Sequence, residues 1–459
     1  MAFTFYGGIH LNEHKTTRGC AVEKMPAPKT VSLPLSQHIG VPATPIVKVG
    51  DTVDKGQVIA EVTSGLGCPV HASISGKVTA IIDKDAPNGK RITNIVIEND
   101  GEDRLSPDLK GWEKSLTETS TEEIIEIIRK AGISGMGGAT FPTYMKIKSG
   151  EGKVNRVIIN CAECEPFITA NHRLLLERPE DVINGLKILL KAFSLREGEI
   201  AVEDNKGDAI QKLEKIVGNS RLIRIRTLRT KYPQGDERQL IFALTGKELP
   251  TGKLPADLGC LVMNAETCAA VFAAFSTGMP LIERIVTVDG DCVRNPKNLL
   301  VPLGTSYRDV FDYCGGFKKE PKKIVNGGPM MGVAQWDLSS GVSKGTSALL
   351  AFSEKMENPF EQPPTCIRCG RCVAACPMHL MPNYLAAYSK KGDLAMAEQL
   401  DVLSCVECGS CSYSCPGHMP IVQYIRAAKG QILDHRRANQ AALERSRSEK
   451  AEGAKEGGK

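Results

Sequence analysis

The sequence predicts a multidomain chain that combines mixed α/β and β modules with a small α-helical domain near its end. Three observations predict it. Residues 366–416 hold two copies of one cysteine pattern. Residues 120–267 alternate amphipathic helices, short apolar strands, and glycine-rich or acidic turns. Flanking that stretch, residues 31–98 and 285–304 read as strands and turns, the first rich in Val, Ile and Thr and broken by Gly, Pro and Asp.

The cysteine pattern is the most specific signal. The first copy joins Cys366, Cys369, Cys372 and Cys376-Pro377, and the second joins Cys405, Cys408, Cys411 and Cys415-Pro416. Each is C-x2-C-x2-C-x3-C-P, the spacing that ligates a cubane iron–sulfur cluster. Three thiolates on one loop hold three irons, and the fourth, before the proline, reaches the other cluster. Cys366, Cys369, Cys372 and Cys415 are therefore paired on one [4Fe–4S] cluster, and Cys405, Cys408, Cys411 and Cys376 on the second. Zinc knuckles or a disulfide scaffold are the competing readings. Zinc sites pair two separate Cys-x2-4-Cys elements and do not run four cysteines together. Two adjacent clusters move single electrons, so the remaining chain must supply their source or destination.

Composition narrows the class. The 459 residues leave room for about three or four domains. A net charge of +5 over that length is too weak to argue for nucleic acid. Cluster ligation needs reduced thiols, which points to a cytosolic compartment. No basic n-region with an apolar h-region opens the chain, and no apolar run reaches the roughly 18 residues of a membrane span. Membrane association is therefore expected to be peripheral, through partners.

From the N-terminus, residues 1–30 form a lead segment in which Gly7-Gly8 looks like an entry turn. Residues 31–100 follow as the first β module. Val47 to Ala60 and Ser73 to Ile81 resemble the two halves of a biotinyl/lipoyl-type barrel-sandwich hybrid. In carrier domains the hairpin between the halves holds a modified lysine. Here that hairpin, Thr63 to Pro69, has none, so the module is structural or docking, not a swinging arm. Residues 99–111 read as a linker.

Residues 101–284 form the α/β domain. Ser120-x-x-Glu123 opens a capped helix through Lys130. Next comes Gly132-Ile-Ser-Gly135-Met-Gly137-Gly138-Ala-Thr-Phe141-Pro142, in which glycines let backbone N–H groups close on a phosphate. Val154 to Ile159 is an apolar strand running into Asn160-Cys-Ala-Glu163-Cys-Glu165-Pro166. Tyr232-Pro-Gln-Gly235-Asp236-Glu237 is an acidic turn before a helix. Cys260 to Asn264 is a strand running into Asn264-Ala-Glu266-Thr267. Ends of strands of this kind are where α/β sheets place ligands. Helices are expected over 181–195 and 208–217. Arg221 to Lys231 alternates basic and apolar residues. It fits a half-buried strand with a basic face, or a surface for a dinucleotide phosphate or an acidic electron carrier. Cys161 and Cys164 have the spacing of a redox pair.

In this order the segments resemble the NADH- and FMN-binding subunit of respiratory complex I, with a Rossmann-like FMN/NADH domain. By that resemblance Gly135, Gly137, Gly138 and Lys146 hold the FMN phosphate. Asn160, Glu163, Asn264 and Thr267 hold its ribityl chain and ring. Phe141 stacks on the nicotinamide nucleotide, and Glu165 and Glu237 contact its ribose or amide within a cofactor turn that includes Gly235 and Asp236. Met136 and Thr140 stand where that family has arginine and glycine, and Asp236 where it has glutamate. In a flavin loop Cys161 and Cys164 fill small-residue positions.

Residues 285–360 resemble the soluble-ligand-binding β-grasp module, with a helix over Tyr307 to Tyr313. The turn Val325 to Gly332 is expected to be tight backbone packing, with Met330 and Met331 in the core. Residues 361–433 are the ferredoxin-type dicluster domain, with helical stretches over 381–403 and 420–432 and with Tyr384, Tyr413 and Tyr424 able to pack near the clusters. The polar tail 434–459 is expected to fray into disorder.

The order barrel-sandwich, flavin domain, β-grasp, two clusters resembles the C subunits of Rnf-type ion-translocating ferredoxin:NAD oxidoreductase complexes. The resemblance implies a peripheral NAD(H) subunit on the cytoplasmic face of the bacterial inner membrane, with FMN, two [4Fe–4S] clusters and NAD(H) as substrate. Its partners would be the membrane and iron–sulfur subunits of the complex, with ferredoxin acting indirectly and Na+ or H+ pumped elsewhere. Alternatives are a soluble flavin/iron–sulfur cobalamin reductase and an electron-relay subunit without nucleotide binding.

Overall fold

A computed structural model describes residues 2–85, 90–220, 222–354 and 363–456. Arg221, the boundary expected at 360/361 and the last three residues of the tail lie outside them. The chain divides into two compact units, Met1–Phe5 with His10–Pro359, and Tyr6–Ile9 with Phe360–Lys459.

The centre of the first unit is a parallel four-stranded sheet. Its strands in chain order are Arg156–Asn160, Gly198–Glu203, Ile223–Leu228 and Cys260–Asn264. Their spatial order is third, second, first, fourth, all parallel. The direction of winding therefore reverses between the first and fourth strands, which opens a crevice at their C-terminal ends. The intervening helices bury one face each against the sheet. Thr121–Lys130 starts at the expected capping box, with Ser120 and Glu123 bonded reciprocally. The helix expected over 181–195 runs Pro179–Ala192 and the next Gly207–Val217.

The first β module is two antiparallel sheets facing each other. One pairs Thr30–Pro34, Arg91–Asn99, Gly76–Asp85 and Thr52–Val53, and the other pairs Thr44–Pro45, Val58–Glu61 and Val70–His71. Residues 99–111 are not a free linker, because Lys55 exchanges backbone bonds with Arg104 and Ser106. The second β module is a six-stranded mixed sheet that borrows Val22–Lys24 from the lead segment as an edge strand. Its helix runs Tyr307–Tyr313 as expected. The two β modules share one core: Val31, Leu33, Ile95 and Ile97 pack in the same cluster as Val286, Leu299, Val301 and Phe311. Segments far apart in sequence thus form one apolar interior, as hydrophobic area, not chain order, drives burial.

The second unit is helical. The single stretch expected over 381–403 is two helices, Pro382–Lys391 and Leu394–Gln399, separated by Gly392 in the left-handed region and by Asp393, whose side chain caps the second. Tyr384 and Tyr413 are exposed and Tyr424 packs against the core of Leu385, Ala386, Ile421 and Ile425. The tail also differs from expectation. One helix, Ile421–Glu456, continues through the segment expected to fray. Its Ala, Glu, Arg, Lys and Gln are strong helix formers, and Arg436 pairs with Glu398 at 2.7 Å. Among the described residues no helix is long and apolar enough to cross a membrane.

Candidate functional site

The crevice in the parallel sheet gathers most of the expected nucleotide residues. Asn160 and Asn264 end the first and fourth strands and are direct register partners. Each then organises the chain beyond it. The Asn160 side chain accepts from the Ala162 N–H and donates to Gly235 C=O at 2.8 Å. Asn264 caps the helix Ala265–Thr277 by accepting from the N–H groups of Glu266 and Thr267. Strand-to-helix turns at Asn are favoured for this reason. Above them the glycine-rich segment closes as a hairpin: Gly135 N–H donates to Phe141 C=O at 2.8 Å, and Ser134 bridges Pro142. Gly137, Gly138 and Ala139 stand exposed at its tip, with Asn264 beneath. A Cβ on Gly137 would lie 3.4 Å from the Asn264 Cβ, in ordinary contact, so Asn264 sits directly beneath the tip.

Lys146 and Glu237 are brought together as an ion pair at 3.1 Å on the two sides of this crevice. Thr267 Oγ accepts from the Met136 N–H at 2.9 Å, fixing the middle of the loop. The other acids are engaged by backbone. Glu163 accepts from the N–H groups of Asn171 and His172, at the start of helix Ala170–Glu177. Asp236 caps helix Glu237–Thr245, and burial raises its carboxyl to about 6. Glu165 accepts from the N–H groups of Met330 and Met331 at 3.0 and 2.8 Å, and burial raises its carboxyl to about 7. Met331 is 46% exposed, which corrects the expectation of a core residue. Its turn is held by those amides, not by the side chain. Cys161 is buried, and Cys164 Sγ accepts from the Gly235 N–H at 3.4 Å. Burial raises both thiols, the opposite of what a reactive pair needs.

Both arginines within the strand Ile223–Leu228 are neutralised. Arg226 and Arg156 both pair with Glu199, and Arg224 pairs with Glu197. The half-buried strand is the reading that this geometry favours.

Three supports escaped the sequence reading. Lys15 has a half-buried stem, and its ammonium donates to the carbonyls of Glu163, Glu165 and Ile168 at 2.7, 2.8 and 2.6 Å. Arg284 and Glu266 form a buried pair at 2.8 Å, and Arg284 also reaches the carbonyls of Lys344 and Met136. The third is Lys344, buried at the foot of the glycine hairpin. Lys15, Arg284 and Lys344 lie outside the motifs, and each acts on backbone distant in the chain, so local pattern held no signal. Arg284→Met leaves the Glu266 carboxylate buried and unpaired and is expected to lower stability by about 3–5 kcal/mol. Urea unfolding of the full chain followed by circular dichroism measures this, and an unchanged midpoint would refute it.

In the second unit the two cysteine loops repeat one backbone. Arg368 and Glu407 have φ of 55° and 57°, and His379 and His418 both have 53°. Non-glycine residues seldom adopt such values, and the two loops place them at the same positions relative to their cysteines. A cavity is lined by Cys376, Cys405, Cys408 and Cys411 together. Cys405 and Cys411 lie within electrostatic range of Cys376, and Cys372 within that of Cys415. The Thr365 N–H donates to Gly417 C=O at 3.0 Å, which sets Cys366 beside the Cys415-Pro416 turn. Cys369 is exposed in the same loop. Among the described residues no three such side chains converge on one mononuclear position. Zinc would need four sulfurs about 2.3 Å from one point, whereas a cubane takes each thiolate at a different corner. The crossed grouping of Cys376 with Cys405, Cys408 and Cys411, and of Cys415 with Cys372, is the donor arrangement that two cubanes take. Lys429 donates to Cys405 C=O and, with Arg426, pairs with Glu407, clamping the second loop to the long helix. The Gly8 N–H donates to Ala375 C=O, and a Cβ on Gly7 would lie 2.5 Å from the Cys376 carbonyl oxygen.

Comparison with known proteins agrees with this layout. Residues 3–102 match the RnfC barrel sandwich hybrid domain, 128–273 the Nuo51 FMN-binding domain, 285–334 the SLBB domain and 358–416 the 4Fe-4S dicluster domain. The chain is 44% identical to the C subunit of the Na(+)-translocating ferredoxin:NAD(+) oxidoreductase complex of Acetobacterium woodii, covering 95% of this chain and 98% of that one. It is 43% identical to the C subunit of the proton-translocating ferredoxin:NAD(+) oxidoreductase complex of Clostridium ljungdahlii, covering 98% and 96%. It is 42% identical to the C subunit of the ion-translocating oxidoreductase complex of Rhodobacter capsulatus, covering 94% and 84%. With its FMN-binding and dicluster iron–sulfur domains, the chain belongs to the family of C subunits of Rnf-type ion-translocating oxidoreductase complexes.

Proposed function

We propose that this chain is the peripheral NAD(H)-oxidoreductase subunit of an ion-translocating ferredoxin:NAD oxidoreductase complex, at the cytoplasmic face of a bacterial membrane. The observation that carries the reading is the side-by-side placement of Asn160 and Asn264 at the sheet's switch point, under an exposed glycine tip. Gly135, Gly137 and Gly138 offer backbone N–H groups to the FMN phosphate, with Lys146 as its cation. Asn160 and Asn264 orient the ribityl chain and ring. Thr267, Glu163 and Asp236 position the loops, as their oxygens are already bonded to backbone. Phe141, half-buried at the foot of the hairpin, is the stacking surface for the nicotinamide nucleotide. Glu237 supplies a carboxylate for its ribose or amide, Gly235 lets the nucleotide approach, and Glu165, with both oxygens on the amides of Met330 and Met331, holds the neighbouring turn.

When bound, FMN exchanges two electrons at once with a nicotinamide and single electrons with iron–sulfur clusters. Cys366, Cys369, Cys372 and Cys415 hold one cluster, and Cys376, Cys405, Cys408 and Cys411 the other. The partners are the membrane and iron–sulfur subunits of the same complex, and the Na+ or H+ path lies among them.

An anaerobic titration of the full, reconstituted chain with NADH tests this. Bleaching of the flavin followed by partial loss of the broad iron–sulfur absorbance is the expected result. Clusters that respond to dithionite but not to NADH, with FMN present, would make the chain a relay and place the nucleotide site elsewhere in the complex.

A further inference from the structure

The glycine-rich hairpin stands on a turn from the second β module, Ser343-Lys344-Gly345. Lys344 is 1% exposed. Its ammonium donates to Gly132 C=O at 2.6 Å and to Pro69 C=O at 3.1 Å. Its own N–H donates to Gln37 Oε1, and its carbonyl accepts from Arg284. At the other foot of the hairpin, a Cβ on Gly345 would lie 2.9 Å from Thr140 Cγ2, and Thr140 C=O accepts from the Ile39 N–H. Both feet of the hairpin, Gly132 and Thr140, thus rest on this turn and on residues of the barrel-sandwich module.

What surrounds the Lys344 ammonium is not anionic. The titratable groups that face it are Cys68, His38 and His71 from the barrel-sandwich module, and Arg284 lies on its carbonyl side. Burial raises the Cys68 thiol, lowers His38 and takes His71 to about 3, so all three are neutral near pH 8. Among the described residues no carboxylate pairs with Lys344. A buried ammonium without a counter-charge is costly to hold. Through Gly132 C=O this uncompensated positive charge lies directly behind the glycine hairpin.

We propose that Lys344 is a positioning residue for the flavin phosphate, supplying from behind the hairpin the buried positive charge that the bound phosphate compensates. This rests on the FMN reading above. The barrel-sandwich module is then a structural arm of the flavin site, and Pro69, Ile39 and Gln37 are its points of contact. Burial holds the Lys344 pKa down to about 8. The charge is present below that pH and lost above it, and phosphate binding must by linkage raise the pKa.

The test uses the full chain with its clusters in place and FMN removed, with binding of FMN and of riboflavin read from quenching of flavin fluorescence on both sides of pH 8. In the wild type, FMN affinity should fall as pH rises through that value while riboflavin affinity stays level. Lys344→Met should weaken FMN by about tenfold or more, leave riboflavin unchanged and abolish the fall. Lys344→Arg should keep the preference for FMN and lose the pH dependence. Equal weakening of FMN and riboflavin in Lys344→Met would reduce the residue to a structural prop and overturn the proposal, as would unchanged FMN binding. Should Lys344→Met fail to fold, a wild-type FMN-to-riboflavin affinity ratio that does not vary across pH 8 overturns it equally. A wild type that binds no FMN at any pH refutes the flavin reading itself, an outcome distinct from FMN binding that ignores Lys344.

Discussion

Cys376→Ala is expected to remove the cluster of the second motif and to leave that of the first. Cys376 is continuous in sequence with Cys366, Cys369 and Cys372, yet it shares a cavity with Cys405, Cys408 and Cys411. Iron content should fall by about half, because one of two [4Fe–4S] centres is gone, and NADH-driven electron delivery should stop if the path runs through both. Cys405→Ala should erase the same electron paramagnetic resonance signal of the dithionite-reduced chain, and Cys366→Ala the other one. If Cys376→Ala and Cys366→Ala instead erase one and the same signal, the crossed ligation is wrong.

Lys15→Met is expected to empty the flavin site without touching any residue of the glycine hairpin. Its ammonium ties together the carbonyls of Glu163, Glu165 and Ile168 in the loop that follows Asn160. A buried acceptor left without a donor costs about 1–3 kcal/mol. The carbonyls keep some access to water along the half-exposed stem, so the total should lie near the low end, at about 3 kcal/mol. The Glu163 and Glu203 carboxylates also lose a nearby positive charge, leaving Lys206 as their neutralising cation. FMN retained through gel filtration should drop by about tenfold, and the urea midpoint should fall with it. Full FMN retention in a folded Lys15→Met chain would show that the loop holds its shape unaided.

Legibility differed by element. The capping box at Ser120 and Glu123, the strands ending at Asn160 and Asn264 and the helix Tyr307–Tyr313 were readable because each is set by residues within one turn or one strand. The break at Gly392 was missed because an apolar face persists across it. The fraying expected past Leu433 rested on polarity, and helix propensity outweighed it in the structure. Glu165 shows the limit for the site. Its motif marks it as a nucleotide contact, but its carboxylate is bound by two amides of a turn in another module.

By itself, the sequence determined the chemistry of this protein. Cysteine spacing is a local constraint, since cluster geometry dictates how far apart ligands on one loop can be, and glycine and asparagine at strand ends are likewise dictated by local backbone needs. Tertiary structure alone decided what holds the flavin site in shape. The lead segment supplies Lys15 and an edge strand, two β modules share one core, and Arg284 and Lys344 reach the glycine hairpin from a different module. These contacts join residues far apart in the chain, and they are fixed by where buried apolar surfaces and buried charges find partners, which no local pattern specifies.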